Sequence, residues 1–521
     1  MSDPATPTPA AEGPKDPAWG ILQQMLDDKS LTRDPTQNDR IKEMYGLFLE
    51  EVLTQKVLDA YIADVHEKAL KNGGNVPPIT RENLGNRLIN ERINEIDEQI
   101  GALMDQVLHD EAFKKLEASW RGLRYLVFNT ETGTSLKLRL MNATKDELRK
   151  DYEKAVEFDQ TAIFKKVYEE EYGTYGGSPY SCLVADYYFG PTNPDMSALE
   201  GLSQIAAAAH APLISAADPT MFDMERFIDL PSPRDLAKIF EGADFTRWRA
   251  FRDSEDSRYA ALCLPHVLMR LPYGPADDPV EGFTYTEDTS FQGTAGRDHS
   301  KYLWGNAAYA LAQRITHAYS LYGWTAAIRG VEGGGKVEGL PVHTFTTEEG
   351  DRAIKCPTEI AITDRREKEL NDLGFVALVH CKNTSDAAFF GGQTAKKPKK
   401  YNLPTATANA QLSAMLPYML NTSRFAHYIK VMMRDKVGSF MTKENVQSYL
   451  SQWIAMYILA KDDAGQSLKA QYPLREARID VVDIPGKPGC YNAVVFLRPH
   501  FQLEELTASL RLVAELPPPA A

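Results

Sequence analysis

PLREARIDVVDIPGKPGCYNAVVFLRPHFQLEELTASLRLVAEL, residues 473–516, holds the pattern on which the fold turns. Two β-prone runs, 477–484 and 491–497, flank PGKPG at 485–489, where proline fixes φ and glycine permits positive φ. That arrangement predicts a β-hairpin carrying Ile479, Val481, Tyr491 and Val495. Beyond it Leu506, Ala508, Leu510, Leu512, Ala514 and Leu516 alternate with Thr507, Ser509, Arg511, Val513 and Glu515. Period-two alternation reads as a strand, although Leu503, Leu506, Leu510 and Val513 also fall at helical spacing. The alternation covers more positions and stops at Pro517, which favours the strand. A strand placed there needs a partner for its backbone groups, either inside its own sheet or in a neighbouring chain.

A chain of 521 residues suggests about two to four domains. Apolar content of 43% and charged content of 25% are ordinary for globular proteins, so most of the chain is expected to fold. A net charge of -14 argues against a general nucleic-acid binder, which needs a clustered basic surface. Cys182, Cys263, Cys356, Cys381 and Cys490 are scattered and form no CxxC pair, as in a reducing compartment. The N-terminus lacks the apolar core of a secretory signal, and no apolar run approaches membrane-spanning length. The expectation is a cytosolic protein with no membrane insertion.

The expected architecture is α+β, a mixed α/β chain. Residues 1–38 read as a Pro/Ala-rich disordered segment with a short amphipathic piece at 19–28, in which Trp19, Leu22, Met25 and Leu26 share a helical face. Such a piece docks either on its own protein or, as a recruitment peptide, on another. Residues 39–107 read as a helical arm, with a helix over 39–70 and a second over 88–108. In the second, Ile89, Ile93, Ile96, Ile100, Leu103 and Val107 make a narrow seam that requires another helix, from this chain or a partner, to cover it.

From residue 108, Phe113, Leu116, Trp120 and Leu123 mark one helix face, and Leu136, Leu138 and Leu140 alternate with charged residues as a half-buried strand. A buried strand at 180–189 and a helix at 196–210 follow. Strands are expected at 324–328, 358–362 and 375–379, with a helix between the last two that takes Asp364 as N-cap and Gly374 as its stop. The division expected is a core domain of 108–230 together with 441–521, and a second α/β domain of 231–440.

GVEGGGK at 330–336 fits seven positions of a phosphate-binding loop, but Val337 replaces the hydroxyl residue that holds magnesium. Gly339 and Pro341 oppose the helix such a loop must feed, so a structural turn is the better reading and a nucleotide-using enzyme the alternative. No histidine pair has HExxH spacing, and GGSP at 176–179 lacks the flanking pattern of a nucleophile elbow. No catalytic, cofactor or metal position emerges. Lys396, Lys397, Lys399 and Lys400 form a basic cluster, either a solvated loop or a patch facing an acidic partner surface.

LHDEAFKKLEASWRGLRYLV (108–127) resembles the large sheath subunit of bacterial type VI secretion systems, the TssC or VipB family. The resemblance continues through AAAAHAPLISAA, FRDSEDSRYAALCLPHVLMRLPYG, HSKYLWGNAAYAL, CPTEIAITDRREKELNDLGFVALVHCKN and the terminal hairpin, covering nearly everything from about residue 85 onward. It implies contractile phage-tail-sheath-like domains, no enzymatic activity and no cofactor. It also implies assembly with a small sheath subunit and neighbouring large subunits into a helical tube around inner Hcp-type rings, on a baseplate, with a ClpV-type AAA+ ATPase dismantling the contracted form. By position, the family's strand sharing falls on the hairpin and on Leu506, Leu510 and Leu512. The seam faces the small subunit, Trp19 to Leu26 is the ATPase-docking peptide, and the lysine cluster contacts the inner tube or lattice.

Overall fold

The computed structural model describes residues 81–502 except 233–234, 276–277, 281, 292–296, 348, 440, 462 and 486–490, together with positions 40 and 44; the side chains of 81–89 and 91 are also outside the description. The piece at 19–28, the 39–70 helix apart from Arg40 and Met44, Ile89's side chain, the hairpin glycines and the run 503–516 therefore lie outside the described residues. The chain divides into two units, Met1–Val107 with Tyr273–Glu287 and Leu108–Pro272 with Asp288–Ala521.

In the first unit a single helix, α1 (Arg81–Leu108), starts earlier than the seam alone suggests. The segment of residues 273–287 is closed at its ends, with Glu287 N–H donating to Tyr273 O at 2.8 Å. Its Tyr285 hydroxyl donates to Asp105 at 2.7 Å, and the same ring lies against Gly101.

The second unit is built on a six-stranded sheet of order β1-β2-β3-β5-β6-β4. β1 (Leu183–Phe189), β2 (Leu213–Ala217), β3 (Ala260–Leu264) and β5 (Phe375–His380) run parallel. β6 (Ala387–Phe389) is antiparallel to β5, and β4 (Lys336–Val337) to β6. The central strands LISAA and AALCL are buried throughout, as parallel strands covered on both faces must be. Alternation sorts their side chains into two cores. Ala260, Leu262, Leu264, Phe375, Ala377 and Val379 meet α3 (Asn193–Ala209) and α4 (Thr246–Asp253), while Ala261, Cys263, Val376 and Leu378 meet α5 (Ala308–Tyr322).

A third core lies under the C-terminal hairpin. α7 (Leu416–Asp435) and α8 (Lys443–Ala455) contribute Phe425, Ile429, Val446, Leu450 and Ile454 to it, and Trp324 enters from a distant loop. The domain boundaries expected at 230 and 440 are corrected by this arrangement. The first runs through one parallel sheet and the second through the third core, because crossover connections bring sequence-distant strands side by side.

Local expectations divide in the same way. The helix before β5, α6 (Asp364–Asp372), forms, but Thr363 takes the N-cap position and Asp364 is the first helical residue; Gly374 ends it at φ +90. The strands expected at 324–328 and 358–362 do not form. Trp324 instead stacks on Phe425, and Thr358 makes a single bridge to Val267. In α2 (Glu111–Phe128) the buried residues are Ala118, Gly122 and Leu126, whereas Leu116 and Trp120 are exposed. Of the face marked in the sequence, Phe113, Leu116 and Trp120 are outward and Leu123 packs beside Leu126 against Tyr309 and Ala312, where α5 approaches so closely that a Cβ on Gly122 would stand 2.4 Å from the Tyr309 ring. Gly122→Val is accordingly expected to destabilise the fold by about 1–3 kcal/mol, read as a lowered urea midpoint.

Candidate functional site

The hairpin expected from the sequence forms, and each strand is longer than its apolar run. β7 (Leu474–Asp483) and β8 (Tyr491–Pro499) pair antiparallel, with Ile479 opposite Val495 and Asp483 opposite Tyr491. Their alternation separates two faces. Ala477, Ile479, Val481, Tyr491, Val495 and Leu497 pack into the third core, so the residues picked from the sequence are inward anchors rather than side chains offered to a neighbour. The outward face carries Val482, Val494 and Phe496, each more than half exposed, beside the Glu476–Arg498 and Arg478–Asp480 pairs. Sequence reasoning missed these three; the signal was present, because they have the parity opposite to Ile479 and Val481.

What the hairpin offers a partner is its backbone. Among the described residues it is a two-stranded sheet, and apart from one bridge between Ile458 and Leu474 its outer edges carry no further strand. A two-stranded ribbon is marginal alone, and here α7 and α8 hold it from one side. Phe425, fully buried, stacks on Trp324 at 4.4 Å between ring centroids and meets Trp453 and Tyr457 edge-on. Just beyond β8, Gln502 accepts no freedom: its N–H donates to the Tyr418 hydroxyl at 3.1 Å and its side-chain amide to Ala326 O at 3.0 Å.

Among the described residues the seam of α1 is exposed. Ile93, Ile96, Ile100 and Leu103 are all at least 40% exposed, while the stripe of Asp97, Gly101 and Asp105, about a third of a turn away, is met by Thr284, whose N–H donates to Asp97, and by Tyr285, which lies on Gly101 and bonds Asp105. In the second unit Leu116 and Trp120 of α2 are likewise open. Contiguous apolar surface of this kind marks an interaction face.

The lysine cluster splits. Lys396 is buried, its ammonium donating to Asp253 O, Ser254 O and Glu255 at 2.9–3.2 Å, so for that residue the surface role is replaced by a structural one. Lys397, Lys399 and Lys400 are exposed. The glycine loop is also structural. Gly335 N–H donates to Gly330 O, Gly330 N–H to Phe389 O, and the loop leads into strand β4, not a helix. Cβ atoms at Gly333, Gly334 and Gly335 would strike carbonyl oxygens at 2.3–2.6 Å, which accounts for the glycines by close packing. Lys336, the residue that would meet phosphate, pairs with Glu338 and Asp386.

Two buried histidine groups stand apart from the hairpin. Glu359 is held between His266 and His299; burial works to raise its pKa, but His266, hydrogen-bonded to it, and the His299 ring 3.4 Å away outweigh that and keep the carboxyl at about 2. Lys355 donates to His299 Nδ1 at 2.9 Å, and because an ammonium only donates, that nitrogen carries the lone pair and His299 is neutral. His210 and His427 lie 6.3 Å apart between α3 and α7, with burial lowering them to about 4 and about 3. A cleft of about 750 Å³ beside α6 is lined by Arg365, Arg366, Lys368, Glu369 and Asp372, and Arg366 is already bound to Glu369 and Ser232 O. The chemistry these features support is association and folding.

Residues 90–396 match the family described as the EvpB/VC_A0108 tail sheath N-terminal domain, and residues 405–516 the EvpB/VC_A0108 tail sheath gpW/gp25-like domain. The type VI secretion system sheath protein TssC1 of Pseudomonas aeruginosa is 46% identical over 500 residues, covering 94% of this chain and 98% of that one. Among solved structures, the baseplate of the anti-feeding prophage aligns over 62% of this chain and 67% of that chain at 12% identity and TM-score 0.34. Its contracted helical sheath aligns over 60% and 66% at 12% identity and TM-score 0.29. With two family matches running from residue 90 to 516 and near-complete mutual coverage of a sheath protein at 46% identity, the chain belongs to the VipB/TssC family of type VI secretion sheath proteins.

Proposed function

We propose that this large sheath subunit assembles with a small sheath subunit and further copies of itself into a cytoplasmic helical tube around an inner Hcp-type tube, on a baseplate, and that contraction of the tube propels its contents outward. The observation that carries the reading is the C-terminal hairpin, a two-stranded sheet mounted on the third core whose edges, among the described residues, carry no further strand beyond the Ile458–Leu474 bridge. Such an edge accepts strands from other chains by backbone pairing, which holds neighbours together while subunits rotate. The run at 506–516, with Leu506, Leu510 and Leu512, is the strand donated to a neighbour.

The α1 seam of Ile89, Ile93, Ile96, Ile100 and Leu103 is the site for a helix of the small subunit. Lys397, Lys399 and Lys400 are the basic contact to the inner tube or lattice, and Trp19, Leu22, Met25 and Leu26 the docking peptide for a ClpV-type AAA+ ATPase. In this reading the protein is not an enzyme. Work comes from an extended lattice of higher free energy than the contracted one, so no nucleotide chemistry is required in this chain. Co-expression with a small sheath subunit followed by electron microscopy tests the reading: ordered helical tubes support it, and persistently soluble monomers overturn it. Leu510→Pro removes a backbone donor from the donated strand and is expected to abolish extended tubes while the subunit remains folded. Normal tubes from that variant exclude the strand-donation role.

A further inference from the structure

Residues 324–335, between α5 and β4, form neither helix nor strand, yet they touch both the third core and the six-stranded sheet. At one end Trp324 is buried in the third core, stacked on Phe425. In the middle Ile328, 1% exposed, belongs to the core between the sheet and α5. At the other end the chain is stitched to β6, with Gly330 N–H donating to Phe389 O at 2.7 Å and Phe389 N–H to Gly335 O at 3.0 Å. The segment is a strap from the hairpin's mounting to the sheet.

Arg329 sits where the strap is tightest. A Cβ on Gly333 would stand 2.3 Å from Arg329 O, one on Gly335 2.8 Å from its Cα, and one on Gly392 2.9 Å from its side-chain Cδ, so the glycines let the chain close around this one residue. That packing aims the guanidinium. Its Nε–H donates to Phe390 O, just past β6, at 2.9 Å, and its Nη1 donates to the side-chain oxygen of Gln502 at 3.5 Å. Gln502, just past β8, returns a bond to the strap, its side-chain amide donating to Ala326 O at 3.0 Å. A planar fork that reaches the sheet with one arm and the end of the hairpin with the other is geometry that arginine supplies and lysine does not. Glu367 of α6 faces the same cation: burial raises its carboxyl, and Arg329 opposes the rise.

One attachment leaves a pivot, whereas two separated attachments fix a direction. The hairpin's first attachment is α7, which places Leu416 and Leu420 in the core beside the sheet and Phe425 and Ile429 in the third core. We propose that the strap is the second attachment and that Arg329 is its positioning residue, holding Gln502 so that the hairpin keeps one orientation relative to the sheet. The glycine motif that imitates a phosphate loop thus serves to place a guanidinium. The consequence for assembly rests on the sheath reading above: a neighbour paired with the hairpin edge pulls on the sheet through two ties, so the subunit turns as one body.

Hydrogen exchange on the full chain tests the tie, and co-expression with a small sheath subunit tests its use. Gln502→Ala, at a half-buried position, is expected to leave the melting temperature within about 2 °C, to speed exchange of the β7 and β8 amides about 10-fold, and to leave those of β2 and β3 unchanged. Arg329→Lys keeps the charge that faces Glu367 but not the fork, and is expected to do the same. The double variant is expected to go no further than either single one, because both cut the same contact. Gln502→Glu is expected to exchange as slowly as the wild type, since a carboxylate binds a guanidinium more strongly than an amide oxygen does. Additive effects, or a Gln502→Glu chain as fast as Gln502→Ala, overturn the role of Arg329, and unchanged exchange in Gln502→Ala overturns the tie. With the small subunit, Gln502→Ala is expected to lower the yield of tubes at least about 10-fold. Undiminished tubes from a chain whose hairpin exchanges fast remove the tie from assembly, whereas a wild type that forms no tubes overturns the sheath reading and leaves the exchange result standing.

Discussion

Acidification from pH 7.5 to pH 5 is expected to cost the folded chain about 4 kcal/mol, about 2 from each of His210 and His427. Burial is the main cause of both lowered values, and the charged groups facing the pair, Lys430 for both and Arg424 for His427, are cations that lower them further. In the unfolded chain each imidazole takes up a proton near pH 6.5; in the folded chain His210 waits until about pH 4 and His427 until about pH 3. Stability is therefore intact above pH 6.5, falls through the window below it, and stops falling when the folded histidines protonate. Glu359 adds to the loss only lower, between its ordinary carboxylate range and about pH 2.

His427→Phe separates this effect from general acid damage. His427 Nε2 donates to Ala209 O at 3.0 Å, but that carbonyl also accepts from the Tyr172 hydroxyl at 2.9 Å, and His427 Nδ1 has no hydrogen-bond partner. Replacing the ring with an apolar one thus leaves no carbonyl unsatisfied. The variant is expected to match the wild type within about 1 kcal/mol at pH 7.5 and to show about half its loss at pH 5 in urea denaturation. An unchanged pH dependence assigns the acid sensitivity elsewhere.

How far the sequence carries depends on where each residue's neighbours come from. The hairpin was legible because strand, turn and strand are contiguous, and its register follows from parity; the parallel strands LISAA, AALCL and FVALVH declare themselves as short apolar runs. The order of those strands was not legible, since β3 joins β5 across more than a hundred residues and nothing local encodes it. Trp324 shows the same limit: its surroundings read as a strand, but its destination is an aromatic cluster contributed by α7 and α8. Inward and outward faces were inverted at α2, apart from Leu123, and at residues 137–142, where bulky apolar residues stay open while Gly122 and Arg139 meet the body. Periodicity reports that a face is apolar; it does not report whether the covering surface belongs to the same chain. Lys396 was misplaced for a related reason, as its three acceptors lie some 140 residues earlier.

Phe425→Ala is expected to remove about 3–5 kcal/mol and, with it, the hairpin's fixed orientation. The side chain is fully buried, and its ring is the hub of the third core: Trp324 stacks on one face while Trp453 and Tyr457 meet its edge. Truncation opens a cavity among three large rings that cannot collapse without shifting α7 against α8, the two helices on which Ile479 and Val481 rest. A strand-accepting edge is useful to a neighbour only if its direction is set before the neighbour arrives, because ordering it on binding subtracts from the pairing energy. The six-stranded sheet has separate cores on its two faces and should retain its packing. The expected result is consequently polarised. Amides of β7 and β8 exchange faster by at least about 100-fold, those of β2 and β3 change little, and tube assembly with the small subunit fails at temperatures where the rest of the chain is folded. Uniform loss of protection across both regions identifies Phe425 as part of one global cooperative core and removes the argument that the hairpin is a separately mounted assembly element.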